Sequence, residues 1–429
     1  MKNNFLKKIL KSDYSIDVSK LVSATTIAQL ITILTAPILY RIYDKVDYGS
    51  LAVYMAITGV IGVVGSLQYL NVVLIEKKDS DAINAIWVNR VINFTFSLLC
   101  LLVLYIFKTP IYKALDNSTL EKFIWFAPIT IFLGTQNGIL VLWANRKKEY
   151  NLIVINSVIT ALSVPIISIS VGLYNNSALG LFLGLFASQT LPYIVLNFGL
   201  NRKYNLGLKK INLSTIKFLV KKHIDFPKYV MPSEFINRFT NQLPVLAINY
   251  FLGPAQVGVY SLAQRMLGLP IQFLGSAIGT VFQQKATSDY NTAGNCRNVF
   301  LKTAKILFAI SIVPFIAILI FGPELFSFFF GPKWLESGSI SRLLVPLFFG
   351  KLIVSPLSFM FHLTGRQKQT FYWHIWMLIS NLLIFLVLFK TTLNLELVIL
   401  IYSLNYFVIY LFYFYKSYTF TIDKKFKTL

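Results

Sequence analysis

"YNLIVINSVITALSVPIISISVGLYNNSALGLFLGLFASQTLPYIVLNFGLN", residues 150–201, runs for 52 residues without one charged side chain. A helix crossing the roughly 30 Å hydrocarbon core of a bilayer takes about 20 mainly apolar residues. The stretch is therefore much too long for one crossing. Asn175, Asn176 and Ser177 form a turn cluster near its middle, which divides it into two spanning helices. In lipid every backbone group has to be satisfied within its own segment, so helices joined by short polar turns are the architecture to expect.

The rest of the chain repeats this pattern. Of its 429 residues 56% are hydrophobic, 15% aromatic and only 13% charged, with a mean hydropathy of +0.64. That leaves too little polar surface to cover a soluble globule. Apolar runs of spanning length lie at 19–41, 50–75, 82–107, 122–144, 151–173, 178–200, 229–252, 257–282, 299–321, 337–363, 371–389 and 395–415. The expected fold is an all-α polytopic membrane protein of about 12 transmembrane helices.

The net charge of +23 would suggest nucleic acid in a soluble protein. Here its distribution gives another reason. With the N-terminus inside, 28 of the 40 lysines and arginines fall in inner segments and 8 in outer ones. Basic loops are retained on the cytoplasmic side, so both termini are expected there, and no nucleic-acid partner is needed. Cys100 and Cys296, the only cysteines, support neither a disulfide nor a metal site.

The basic segment 201–228 lies between the sixth and seventh runs. It divides the chain into an N-terminal six-helix lobe at 1–200, a cytoplasmic linker at 201–228, helical around "STIKFLVKKH", and a C-terminal six-helix lobe at 229–429. Two echoes relate the lobes. "DYGSLAVY" (47–54) aligns with "QVGVYSLA" (256–263) through Gly49 and Gly258, and "WANRKKEY" after the fourth run with "HLTGRQKQT" after the tenth, through Arg146 and Arg366. Both lobes start and end inside, so they read as parallel repeats around a central cavity.

Four cations remain within spans: Arg90, Arg238, Arg265 and Lys351. A charge at bilayer depth costs a few kcal/mol, so it faces a partner or a watery cavity, or snorkels to an interface. Arg238 and Arg265 are the deeper pair. Glu234, Asn237, Arg238 and Asn241 share one helical face at i, i+3, i+4 and i+7. Glu234 is the one acid placed well inside a span; it either neutralises Arg238 one turn later or couples transport to a proton or sodium ion. Pro227, Pro232 and Pro244 predict a bent or broken seventh span.

"LPVLAINYFLGPAQVGVYSLAQRMLGLPIQFLGSAIGTVFQQ" (243–284), "TAPILYRIYDKVDYGSLAVY" (35–54) and "FGPELFSFFFGPKWLESG" (321–338) resemble the oligosaccharide flippases of bacterial polysaccharide synthesis, in the multidrug/oligosaccharidyl-lipid/polysaccharide exporter superfamily. The resemblance covers nearly the whole chain. Gly258, Tyr260, Arg265 and Pro270 carry its most specific part. It implies alternating-access transfer of a polyprenyl-diphosphate-linked oligosaccharide, such as an O-antigen repeat unit, alongside a polysaccharide polymerase and chain-length regulator. Arg238 and Arg265 would hold the diphosphate through forked, charge-assisted hydrogen bonds. Lys351 and Arg90 would assist, and Asn241, Gln264 and Gln272 would meet sugar hydroxyls.

Two alternatives stay open. A drug or cation exporter of the same superfamily would favour intramembrane carboxylates, whereas four bases face one acid here. A membrane-embedded glycosyltransferase or polysaccharide polymerase would need catalytic acids and large outer loops. Neither GxxxxGK[ST], HExxH, CxxC nor GxSxG occurs, so no cofactor and no enzymatic activity are expected.

Overall fold

The computed structural model describes residues 13–174, 177–207 and 212–422. The turn at Asn175 and Asn176 lies outside the described residues, as do Lys2, Lys7, Lys8, Lys11, Lys209, Lys210, Lys424, Lys425 and Lys427 of the charge pattern. Helices account for nearly all of the rest, and each of the twelve apolar runs is helical. Among the described residues ten helical segments are long and apolar enough to cross a membrane. The other two runs are the first, whose apolar helical part is Thr26–Ile42, and the seventh, Met231–Leu252, made less apolar by Glu234, Asn237, Arg238, Asn241 and Gln242.

Chain contacts divide the protein into two compact units, Met1–Phe239 and Thr240–Leu429. The first holds α1 (Asp13–Ile42), α2 (Lys45–Gly65), α3 (Asp79–Ile106), α4 (Ala127–Arg146), α5 (Tyr150–Tyr174), α6 (Leu179–Tyr204) and α7 (Leu213–Lys222). Here α5 packs on α6 and α1, and α4 packs on α3 and α6. Small residues allow the closest approach. The Tyr43 hydroxyl, fully buried, donates to the Ser168 carbonyl at 2.6 Å, and any side chain at Gly180 would collide with it.

The basic segment after α6 folds with this unit. Asn205 ends α6 in the left-handed conformation that asparagine tolerates. Asn212 caps α7, its Oδ1 accepting from the Ser214 and Thr215 amides, and its own amide donates to Asn84 Oδ1 on α3 at 2.9 Å. Leu219 is buried, and the Tyr69 hydroxyl donates to the Val220 carbonyl at 3.0 Å.

The unit boundary falls within α8 (Met231–Leu252). The second unit continues with α9 (Pro254–Pro270), α10 (Ser276–Ala293), α11 (Arg297–Phe330), α12 (Leu335–Leu357), α13 (Gln367–Thr391) and α14 (Leu395–Thr419). Within it α12 packs against α9, α11 and α14. The crossing of α11 and α12 is closed at Gly338, where a Cβ would strike the Gly322 carbonyl and Pro323.

Prolines set the irregularities. A proline lacks an N–H and crowds the carbonyl four residues back, so the helical ladder reopens around it. A π turn at Phe226–Val230, containing Pro227, leads into α8, while Pro232 and Pro244 are accommodated in the continuous helix. A second π turn, Ile271–Gly275, follows Pro270 and joins α9 to α10. The ninth span is longer than its hydropathy run because α11 continues past a kink at Phe321, next to Gly322 and Pro323.

The glycines of the first echo occupy equivalent places: Gly49 and Gly258 are each buried and each the fifth residue of their helix. The second echo diverges in use. Arg146 closes α4 and donates to the carbonyls of Val73, Glu76 and Lys77 and to the Asp79 carboxylate. Arg366 instead lies 4.1 Å over the Phe420 ring.

Candidate functional site

Polar side chains within the spanning helices occur in both units. In the first, α3, α4 and α6 enclose an open groove of about 890 Å³. Arg90 stands on its α3 wall, stacked 4.7 Å over the Trp87 ring, and its Nη2 donates to Asn197 Oδ1 on α6 at 3.3 Å. Asn201 Nδ2 donates to the same oxygen at 2.9 Å. Gln136 enters from α4; it is 1% exposed and its Nε2 has no hydrogen-bond partner. Tyr193 lines the α6 wall, and Phe94 and Phe132 form the apolar end. Among the described residues Arg90 makes no ion pair.

On α8, Glu234 is half-buried and Arg238 exposed, and no ion pair joins them among the described residues. Neutralisation of Arg238 by direct contact is thus not the arrangement present. Asn241 is exposed further along the helix. On α9, Gln264 is half-buried and Arg265 exposed; Gln272, in the π turn that follows, is also exposed. Lys351 is half-buried on α12, with Nζ 5.9 Å from the centroid of the Phe348 ring.

Sequence reasoning missed the partners of Arg90. Tyr193, Asn197 and Asn201 recur at i, i+4 and i+8 within the uncharged stretch, and that spacing was the available signal for a polar face on an otherwise apolar helix.

At the ends of α3 and α4 that carry Asp79 and Arg146, acids and bases are paired. Lys147 also reaches the Asp79 carboxylate. Glu149 accepts from Lys203 at 2.8 Å and from the Tyr204 hydroxyl at 2.7 Å, which hold its carboxyl below the usual range. Among the described residues the cations of the groove, α8 and α12 have no such carboxylate partner.

The sequence profile of the polysaccharide biosynthesis protein family matches residues 38–339, well over half of the chain. The chain belongs to this family. As a member it is a multi-pass membrane protein. It is 23% identical over 255 residues to the succinoglycan biosynthesis transport protein ExoT of Rhizobium meliloti (strain 1021), covering 58% of this chain and 49% of that protein. Against three curated relatives the matched part spans 32%, 40% and 49% of their length, so less than half of each is represented. Two solved structures share the fold. One is an inward-facing multidrug resistance MATE family transporter of the MOP superfamily (TM-score 0.75, 13% identity, covering 93% of this chain and 96% of that one). The other is the lipid II flippase MurJ in an inward closed conformation (TM-score 0.71, 14% identity, 92% and 89%). At these identities the likeness establishes the fold alone.

Proposed function

We propose that this protein is a flippase that moves a polyprenyl-diphosphate-linked oligosaccharide from the inner to the outer leaflet of the bacterial cytoplasmic membrane by alternating access. The observation that carries this reading is the charge balance of the sequence at depth: Arg238, Arg265 and Lys351 fall within apolar runs of spanning length, in which Glu234 is the one acid placed well inside. A cation within a spanning helix is expensive, and an anionic cargo would repay that cost. A diphosphate suits arginine, whose planar fork donates two parallel hydrogen bonds to phosphate oxygens.

In this reading Arg238 and Arg265 engage the diphosphate, and Lys351 adds charge. Asn241, Gln264 and Gln272 take sugar hydroxyls, and Glu234 responds to a proton or sodium ion. Membership of the polysaccharide biosynthesis protein family supports a saccharide cargo. The fold is common to a multidrug transporter and a lipid flippase, so it does not choose between those cargoes. The excess of bases favours the anionic one.

Replacing Arg238 or Arg265 by glutamine should abolish surface polysaccharide in the producing cell while protein level and membrane insertion stay normal. Lysine should restore it in part, because it keeps the charge and loses the fork. Normal polysaccharide in both glutamine variants would remove these residues from cargo binding.

A further inference from the structure

The groove around Arg90 lies wholly within the first unit, and its polarity is graded along the helices. At one end, the loop Asn205–Gly207 closes it, with the Trp87 indole donating to the Leu206 carbonyl at 3.1 Å. Next come Arg90, Asn197 and Asn201, then Gln136, and finally Phe94 and Phe132. The polar end is the one nearest Asp79 and Arg146. An amphiphile whose head lies at that membrane face would match this order with its tail directed toward the bilayer centre.

The unused groups describe the head. Asn197 Oδ1 already accepts from Arg90 and Asn201, which leaves the Asn197 amide N–H groups over. With them remain the other guanidinium N–H groups, the Tyr193 hydroxyl and the buried, orphaned Gln136 Nε2. Among the described residues no carboxylate lines the groove. Several donors around one full positive charge fit the oxygens of a phosphate. One guanidinium balances one phosphodiester charge, whereas a diphosphate would bring a second charge with no partner. A choline or ethanolamine head would bring an ammonium with no acid to meet it.

The depth agrees. Arg90 stacks over Trp87, eight residues into α3, so its guanidinium lies about 12 Å from the helix start at 1.5 Å per residue. That is the zone just below the headgroups of a bilayer about 40–45 Å thick overall with a 30 Å core. Both rims are exposed and apolar. Phe94 (61% exposed), Leu98 and Leu102 continue the groove face of α3, and Ile194 and Phe198 (70% exposed) flank it on α6. Side chains of this kind face hydrocarbon rather than water.

From these features we infer that the Arg90 groove is a lateral site for one anionic glycerophospholipid with an uncharged, hydroxylated head, phosphatidylglycerol being the type. Its phosphodiester sits on Arg90, Asn197 and Gln136. One acyl chain runs over Phe94 and Phe132 and along Leu98 and Leu102. The inference does not rest on cargo recognition by Arg238 and Arg265, and it holds whether or not the flippase reading does.

Native mass spectrometry tests it. Protein would be released from vesicles containing equal amounts of phosphatidylglycerol and phosphatidylcholine with matched chains, and in a second arm with an added polyprenyl diphosphate. Wild-type protein should carry one phosphatidylglycerol in preference to phosphatidylcholine by about tenfold or more, the size expected for loss of a charge-assisted hydrogen-bond set. Arg90→Gln should bring the two lipids to parity. Asn197→Asp, which gives Arg90 a carboxylate partner and so keeps its charge compensated, should do the same without loss of insertion. Equal retention of both lipids by the wild type, or an unchanged preference in both variants, would overturn the assignment. So would displacement of phosphatidylglycerol by the polyprenyl diphosphate in the wild type but not in the variants, which would return Arg90 to the cargo.

Discussion

Glu76 Oε1 lies 2.6 Å from Lys222 Nζ, tying the end of α7 to the short turn between α2 and α3; His223 Nε2 stands at the same distance from that oxygen. The carboxylate is buried, at 6% exposure. Burial raises its pKa, but the hydrogen bonds and charges of Lys222 and His223 outweigh it and hold the group below the ordinary carboxylate range. A carboxyl whose folded-state pKa is depressed contributes stability above its unfolded pKa of about 4.3 and loses it as pH falls through the folded value. The protection factor for hydrogen exchange over residues 213–222 should therefore be high at neutral pH and fall as the pH drops below the unfolded carboxyl value. Glu76→Gln should weaken docking of α7 by roughly 1–3 kcal/mol already at pH 7. Equal protection at pH 7 and pH 3.5, with no effect of Glu76→Gln, would contradict this.

Gly180→Ala should lower thermal stability by about 1–3 kcal/mol, the usual cost of overpacking a close-packed site. The added methyl meets the hydroxyl of Tyr43, which cannot swing away because the ring is fully buried. Tyr43→Phe alone loses the bond to the Ser168 carbonyl, worth about 1 kcal/mol. The double variant should be more stable than the sum of the two single effects, since the phenyl ring removes the atom that clashes. Simple additivity in a melting series would show that the collision is relieved elsewhere.

Helical content and the positions of the spans were legible because lipid leaves the backbone no other choice and hydropathy reports burial in it. The glycine echo at Gly49 and Gly258 was legible for a related reason: each marks the same place in a helix. What lay beyond reach depended on contacts between distant residues. The docking of α7 by Asn84, Tyr69 and Glu76 leaves no periodic signal, so a helix bound to the first unit reads as a linker. The different tasks of Arg146 and Arg366 are likewise set by the carbonyls and the ring each meets. Around Arg90 the charge was visible, and its partner Asn197 on α6 was not.

The basic loops predict that both termini face the cytoplasm. In a protein with Cys100 and Cys296 replaced by alanine, cysteines at Lys147 and Lys217 should react with membrane-impermeant thiol reagents only when the inner face is exposed. A cysteine at Ala255 should react from outside in intact cells. Labelling of Lys217→Cys from outside would reverse the topology.

Glu234 stands one turn before Arg238 with no ion pair between them among the described residues, so a change in its charge alters the field at the arginine without breaking a salt bridge. Glu234→Gln should keep the fold and bind lipid-linked saccharide, yet lose the response of transport to an imposed pH or sodium gradient. An unchanged gradient response would make Glu234 a structural residue, with the cargo's own gradient as the driving force.

The most direct test is flipping itself. Protein would be reconstituted into liposomes carrying a fluorescent polyprenyl-diphosphate oligosaccharide, with access of a quencher or a glycosidase to the outer leaflet read over time. Wild-type protein should move the inner pool outward well above protein-free liposomes. Arg238→Gln and Arg265→Gln should each reduce that rate by at least about tenfold, as expected for loss of a forked phosphate contact. Flipping by both variants at the wild-type rate, or wild-type protein indistinguishable from empty liposomes while a cationic drug is carried, would contradict the account.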